Sequence, residues 1–118
     1  INARYLTSDI IRDKIDILVC DVSFISMKKV IEPSLKFLTN NGKIIGLIKP
    51  QFEVKKQETK KGVVLDKNVH LRICDEYKNW FKEKCLMKVV DLVESPIKGP
   101  KGNREFLIYC ENYKNLKQ

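Results

Sequence analysis

The chain has 118 residues, 43% hydrophobic and 32% charged, a balance that suits one folded domain and excludes a disordered tail. Its 23 Lys and Arg outweigh 15 Asp and Glu, and the net charge of +8 favours acidic partners, nucleic acid above all. The longest apolar run, 44–48, is far too short to cross a bilayer, so no membrane partner is expected.

The chain opens on Ile1 and not on Met, and the simplest expectation is one segment of a longer protein. Four cysteines (Cys20, Cys74, Cys85, Cys110) show no C-x-x-C spacing, and His70 is the only histidine. A zinc site or a disulfide framework is therefore not expected, and reduced structural thiols in a cytoplasmic protein fit better.

Thr7, Ser8 and Asp9 mark a helix start, and a short helix to about Asp13 follows. Residues 15–20 form a nearly continuous apolar run whose β-branched content suits a buried parallel strand. Ser26 caps a second helix with Val30, Ile31, Leu35 and Leu38 at helical spacing, expected to stop at Asn40, Asn41 and Gly42. Residues 43–48 make the next buried strand, which Pro50 prevents from continuing.

Residues 51–66 are lysine-rich with little apolar periodicity and should form a mobile loop, long enough to suggest function or disorder. Asp66 or Asn68 caps a long helix to about residue 84, with Val69, Ile73, Tyr77, Trp80 and Phe81 on its apolar face. A strand over 86–93 precedes a turn-rich loop with Pro96, Gly99, Pro100 and Gly102. The last strand, 105–110, is joined to it without a helix, so the two should form an antiparallel hairpin. The order is β-α-β-α-β-β, with no repeat and no linker dividing residues 1–118.

Charged residues stand where these runs end or begin: Asp21, Lys49 and Glu105. In open α/β sheets chemistry collects at the carboxyl edge of the parallel strands, which makes Asp21 and Lys49 candidate partners in one site. A structural alternative has Asp21 capping the turn at 23–26, Lys49 as a surface strand end, and Glu105 paired with Arg104 or Lys101. On the residues alone that alternative is the stronger, since paired charges are often merely structural. The lysines at 55–56, 60–61 and 98–101 fit RNA binding and a solvated surface equally well on charge alone. His70 packs or caps at its helix start, and Ser23 and Ser26 have no histidine partner for nucleophilic hydrolysis.

Four motifs stand in order: Asp-Val-Ser-Phe-Ile-Ser at 21–26, Ile-Lys-Pro-Gln-Phe-Glu at 48–53, Lys-Gly-Val-Val-Leu-Asp at 61–66 with His70, and Ser-Pro-Ile-Lys-Gly-Pro-Lys-Gly-Asn-Arg-Glu-Phe at 95–106. Together with Asn-Ala-Arg-Tyr-Leu at 2–6 they resemble the hemolysin A/TlyA family of FtsJ-like ribosomal RNA 2′-O-methyltransferases. The resemblance covers nearly the whole chain. It implies the later part of an α/β, Rossmann-type methyltransferase domain, a mostly parallel sheet closing in an antiparallel β-hairpin. It also implies S-adenosylmethionine as cofactor and ribosomal RNA or ribosomal subunits as partner.

By the same resemblance Asp21, Lys49 and Glu105 match three members of the family's Lys-Asp-Lys-Glu catalytic set, whose first Lys would lie upstream, and Asn2, Asp21 and Val22 would border the cofactor. The charged loop residues Lys55, Lys56, Lys60 and Lys61 would meet RNA, and Phe24, Phe52 and Trp80 read as core or site wall, with Phe52 beside Lys49 also placed to contact a flipped nucleotide. No metal is implied. The chemistry wants such residues, because a ribose 2′-OH is poorly acidic and a lysine tuned by its neighbours can accept or orient its proton. The chain departs from the family in lacking the glycine-rich cofactor loop: none of its five glycines stands in a G-x-G-x-x-G turn. The resemblance also calls for an N-terminal RNA-binding domain, which is expected to lie outside residues 1–118.

Two other readings compete: a non-catalytic RNA-binding module, and a membrane-active hemolysin, against which no strongly amphipathic cationic helix is present. A sheet that begins at residue 15 would also carry an open edge, through which the chain would form a homo-oligomer or aggregate.

Overall fold

The computed structural model describes residues 15–112. One mixed sheet holds β1 (Ile15–Cys20), β2 (Leu38–Ile48), β3 (Met87–Glu94) and β4 (Phe106–Asn112) in the order β1-β2-β4-β3. β1 runs parallel to β2, and β4 is inserted antiparallel between β2 and β3. Three strands thus point one way, and the carboxyl ends of β1, β2 and β3 share an edge with the start of β4. The expected hairpin forms, but β4 separates β2 from β3, so only the β1–β2 pairing is parallel. The expected helix before residue 15 and Asn2 lie outside the described residues.

Alternation in the strands sends one set of side chains to a covered face. Leu18, Cys20, Ile44, Ile48, Ile108, Cys110 and Met87 pack there against Val30 and Ile31 of α1 (Lys28–Ser34) and Ile73, Tyr77 and Phe81 of α2 (Lys67–Glu83). Burial pushes the thiols of Cys20 and Cys74 up to about 11, so both behave as inert core groups. On the opposite face Ile17, Val19, Ile45 and Val93 stay exposed.

α1 is shorter than its apolar spacing suggests. Pro33 lies inside it, helical geometry gives way to a 3₁₀ turn at Leu35–Phe37, and β2 already begins at Leu38. Proline carries no N–H and crowds the preceding turn, which weakens the helix at that point. Asn40, Asn41 and Gly42, expected to end the helix, instead lie in β2. The β1–β2 register jumps there, from Ile15 opposite Leu38 to Ile17 opposite Lys43. Asp16 Oδ1 accepts from the Thr39 hydroxyl at 2.9 Å, and Asn112 Nδ2 donates to the Thr39 carbonyl at 2.9 Å, so side chains hold the irregular stretch.

α2 forms as its sequence demands. Asp66 caps it through a 2.8 Å bond from the Asn68 N–H. The long segment before it is built rather than featureless, with 3₁₀ turns at Pro50–Phe52 and Lys56–Glu58 and a bridge between Lys60 and Val63. Buried Asn103 ties it to the β3–β4 loop: Oδ1 accepts from the Val64 N–H at 3.0 Å, and Nδ2 donates to the carbonyls of Gly62 and Pro100. His70 packs as expected, buried, with Nε2 at 2.9 Å from the Val64 carbonyl and its ring against Phe106.

Candidate active site

Lys49 follows the last residue of β2, where Pro50 stops the ladder and turns the chain into a 3₁₀ turn. Its side chain lies back over the end of β1. Nζ is 2.5 Å from Asp21 Oδ1 and donates to Ser23 Oγ at 3.1 Å. The lysine side chain is only 12% exposed, whereas that of Asp21 is 62% exposed, so the amine is sheltered and the carboxylate faces solvent.

Glu105 comes to the same edge by a different route. Ile48 stands opposite Phe106, so Lys49 and Glu105 occupy the next positions in the antiparallel register. Glu105 is 5% exposed, and its Oε2 accepts a 2.8 Å bond from Gln51 Nε2. Gly99 presses against that carboxylate, and a Cβ at position 99 would collide with it. Its main-chain carbonyl accepts from the Ser95 N–H at 2.8 Å. Asp21 and Lys49 therefore meet directly, while Glu105 reaches the same edge bonded to Gln51 and not to the pair. Neither Arg104 nor Lys101 takes Glu105: Arg104 lies 4.0 Å from Glu94, and Lys101 Nζ donates to the Lys61 carbonyl at 3.1 Å.

Beside this cluster a groove of about 440 Å³ runs between the segment after β2 and the β3–β4 loop. Phe24 and Phe52 form one wall, ring centroids 5.0 Å apart. Phe24 is 85% exposed and has φ +70°, an uncommon backbone state for a bulky residue that concentrates at functional sites. Lys56 and Lys101 line the groove too, with Gln51 at its base. The amide oxygen of Gln51 is buried without a hydrogen-bond partner among the described residues. Lys55, Lys60 and Lys61 are exposed on the same segment but do not line the groove. Val22 packs half-buried against the core behind Asp21.

Beneath the edge lies a polar group that the sequence did not single out. The Tyr77 hydroxyl, in the middle of α2, bonds both carboxylate oxygens of Glu53 at 2.8 Å and lies 3.3 Å from Ser26 Oγ. Burial raises the Glu53 carboxyl above 4.5, although bonds from Ser26 and Tyr77 and the charge of Lys28 oppose the shift. Burial and the Glu53 charge push the Tyr77 phenol far up, so it stays a neutral donor. Lys28 Nζ sits 5.1 Å from the centre of the Tyr77 ring.

The lysine–carboxylate pair stands at the carboxyl edge of an open α/β sheet, the edge where such sheets bind their ligands. The chain belongs to the FtsJ-like methyltransferase family, whose model matches residues 1–112. It is 36% identical over 110 residues to Hemolysin A of Brachyspira hyodysenteriae, covering 92% of this chain and 45% of that protein. It is 35% identical over 109 residues to the 16S/23S rRNA (cytidine-2′-O)-methyltransferase TlyA of Mycobacterium tuberculosis, covering 92% of this chain and 40% of that one. A solved structure from Lactococcus lactis, described as a candidate hemolysin, superposes with a TM-score of 0.85 at 32% identity over 95% of this chain and 54% of that chain. The chain thus spans less than half the length of these curated relatives.

Proposed function

We propose that this chain forms the substrate-side part of the catalytic domain of a ribosomal RNA ribose 2′-O-methyltransferase that uses S-adenosylmethionine. The observation that carries the reading is Lys49: its amine is held by Asp21 and Ser23 at the strand edge, beside a groove walled by two aromatic rings and bordered by lysines. The activity for which the M. tuberculosis relative is named supports the same chemistry.

S-adenosylmethionine, when bound, supplies an electrophilic methyl group on sulfur. The residues in this chain fit the acceptor side of that reaction. Asp21 and Val22 at the end of β1 would border the cofactor, as would Asn2, which lies outside the described residues. The glycines do not form a cofactor cradle: Gly42 and Gly46 lie inside β2, where Leu38 and Met27 fill the space above them.

Lys49 orients the ribose hydroxyl and, when its amine is uncharged, takes up the proton as the oxygen becomes a nucleophile, leaving an ammonium beside the Asp21 carboxylate. Asp21 fixes the amine and offsets its charge, and Glu105 with Gln51 holds the far side of the acceptor pocket. Phe24 and Phe52 stack a base while Lys56 and Lys101 meet phosphates, with Lys55, Lys60 and Lys61 adding charge nearby. Because chemistry at this edge is mostly alignment, a rigid arrangement of these groups supplies much of the rate.

The test is product analysis with the full-length protein, unmodified ribosomal subunits and labelled S-adenosylmethionine. The label is expected in a 2′-O-methylated nucleoside after complete digestion. Label on a base, or none on RNA, would refute the reading.

A further inference from the structure

Asp21 and Lys49 directly follow the paired strands β1 and β2, whose ladder sets the spacing at the strand ends; beyond it the two loops they open meet again. One loop runs from Asp21 to Ser26 and enters α1. The other runs from Lys49 through the 3₁₀ turn at Pro50–Phe52, where the Phe52 N–H donates to the Lys49 carbonyl and the Glu53 N–H to the Pro50 carbonyl, both at 3.0 Å. Glu53 is thus one tight turn from Lys49. The far end of each loop reaches the same atom: Ser26 Oγ and both Glu53 carboxylate oxygens lie within hydrogen-bond range of the Tyr77 hydroxyl.

Tyr77 itself does not move easily. It is 1% exposed, sits mid-helix, and packs its ring against Trp80 and Phe81. A half-buried carboxylate is a costly choice where a solvated surface residue would serve packing alone. Its bonds to Tyr77 and Ser26 give it a use.

Resting on the reading of Lys49 given above, we propose that Tyr77, Glu53 and Ser26 are positioning residues, a hydrogen-bonded knot that fixes the loop bearing Lys49 against the loop bearing Asp21. None of the three touches the acceptor. Each acts through the placement of Lys49, and a shift of about 1 Å at such a position costs on the order of 100-fold in rate. None of Tyr77, Glu53 and Ser26 lines the groove along which RNA would lie.

The experiment uses the full-length enzyme and steady-state methylation of ribosomal subunits. Tyr77→Phe keeps the ring and removes only the hydroxyl, so melting temperature is expected to stay close to that of the parent. kcat should fall roughly 10- to 100-fold, with KM for the subunit and affinity for S-adenosylmethionine within about threefold. Glu53→Ala should fall similarly, and Glu53→Gln, which still accepts from Tyr77, should recover much of the loss. Combining Tyr77→Phe with Glu53→Ala should add little, as members of one network are not additive. Parental kcat in Tyr77→Phe, alongside an inactive Lys49→Ala, would overturn the knot while leaving the site intact. Glu53→Gln falling as far as Glu53→Ala, with a matching drop in melting temperature, would also overturn it. An active Lys49→Ala would instead remove the reading on which the knot rests.

Discussion

Lys49, Asp21 and Glu105 were legible in the sequence because each stands where an apolar run meets a charge. Their actual partners were not. Ser23, Gln51 and the Glu53–Tyr77 bond join residues 24 to 54 positions apart, and no local pattern encodes such approaches. Glu53 was in plain view within the 48–53 motif, yet only the burial of Tyr77 gives it meaning. Two predictions belong at this scale. Burial raises the Glu53 carboxyl in the folded chain, so its protonated form is favoured by folding. Its contribution to stability is fully present below the unfolded value of about 4.5 and is lost as pH rises through the raised folded value. Denaturant titrations from pH 4 upward should therefore show a loss in the parent that Glu53→Gln lacks; parallel profiles would contradict the assignment. Lys56→Ala and Lys101→Ala should each weaken binding of single-stranded ribosomal RNA and reduce the salt slope by roughly 0.7, the value for one phosphate contact. Unchanged slopes would place the RNA elsewhere.

Among the elements, α2 and the strands were the most legible, since a cap residue and an apolar stripe agree with one another along α2. The α1–β2 boundary was not, because Leu35 and Leu38 continue helical spacing past the proline that weakens the helix. There the strand's pairing with β1 overrides periodicity, and the Asn40, Asn41 and Gly42 stop signal becomes part of an irregular strand. The 51–66 segment also read as formless because its order comes from Asn103, some forty residues away. Phe81 is fully buried between α2 and the sheet. Phe81→Ala should destabilise the fold by about 3–5 kcal/mol, and Asp66→Ala, which removes the α2 cap, by about 1 kcal/mol. Chemical denaturation measures both, and equal losses would mean that the cap carries more than its own helix end.

At the scale of the whole molecule, the sheet has one covered face and one that exposes Ile17, Val19, Ile45 and Val93. Among the described residues β1 is an outer strand of the sheet; the uncovered face was not foreseeable, because strand alternation alone does not say which face lacks helices. An apolar face beside an unpaired strand edge favours association. We therefore expect residues 1–118 alone to self-associate in sedimentation velocity, with Val19→Lys reducing the effect; a monomer at high concentration would contradict this. Among the described residues no helix is long and apolar enough to cross a membrane. We expect no leakage from liposomes at physiological salt, and release of a trapped dye would favour the hemolysin reading.

The central claim is that Lys49 acts on the reacting hydroxyl and does not merely hold the strand end. Single-turnover methylation of ribosomal subunits by full-length Lys49→Ala, run beside equilibrium titration with S-adenosylmethionine, tests it most directly. Methyl transfer should be lost while cofactor affinity stays within about threefold, because the amine works in the transition state. Near-parental transfer by Lys49→Ala would contradict the account.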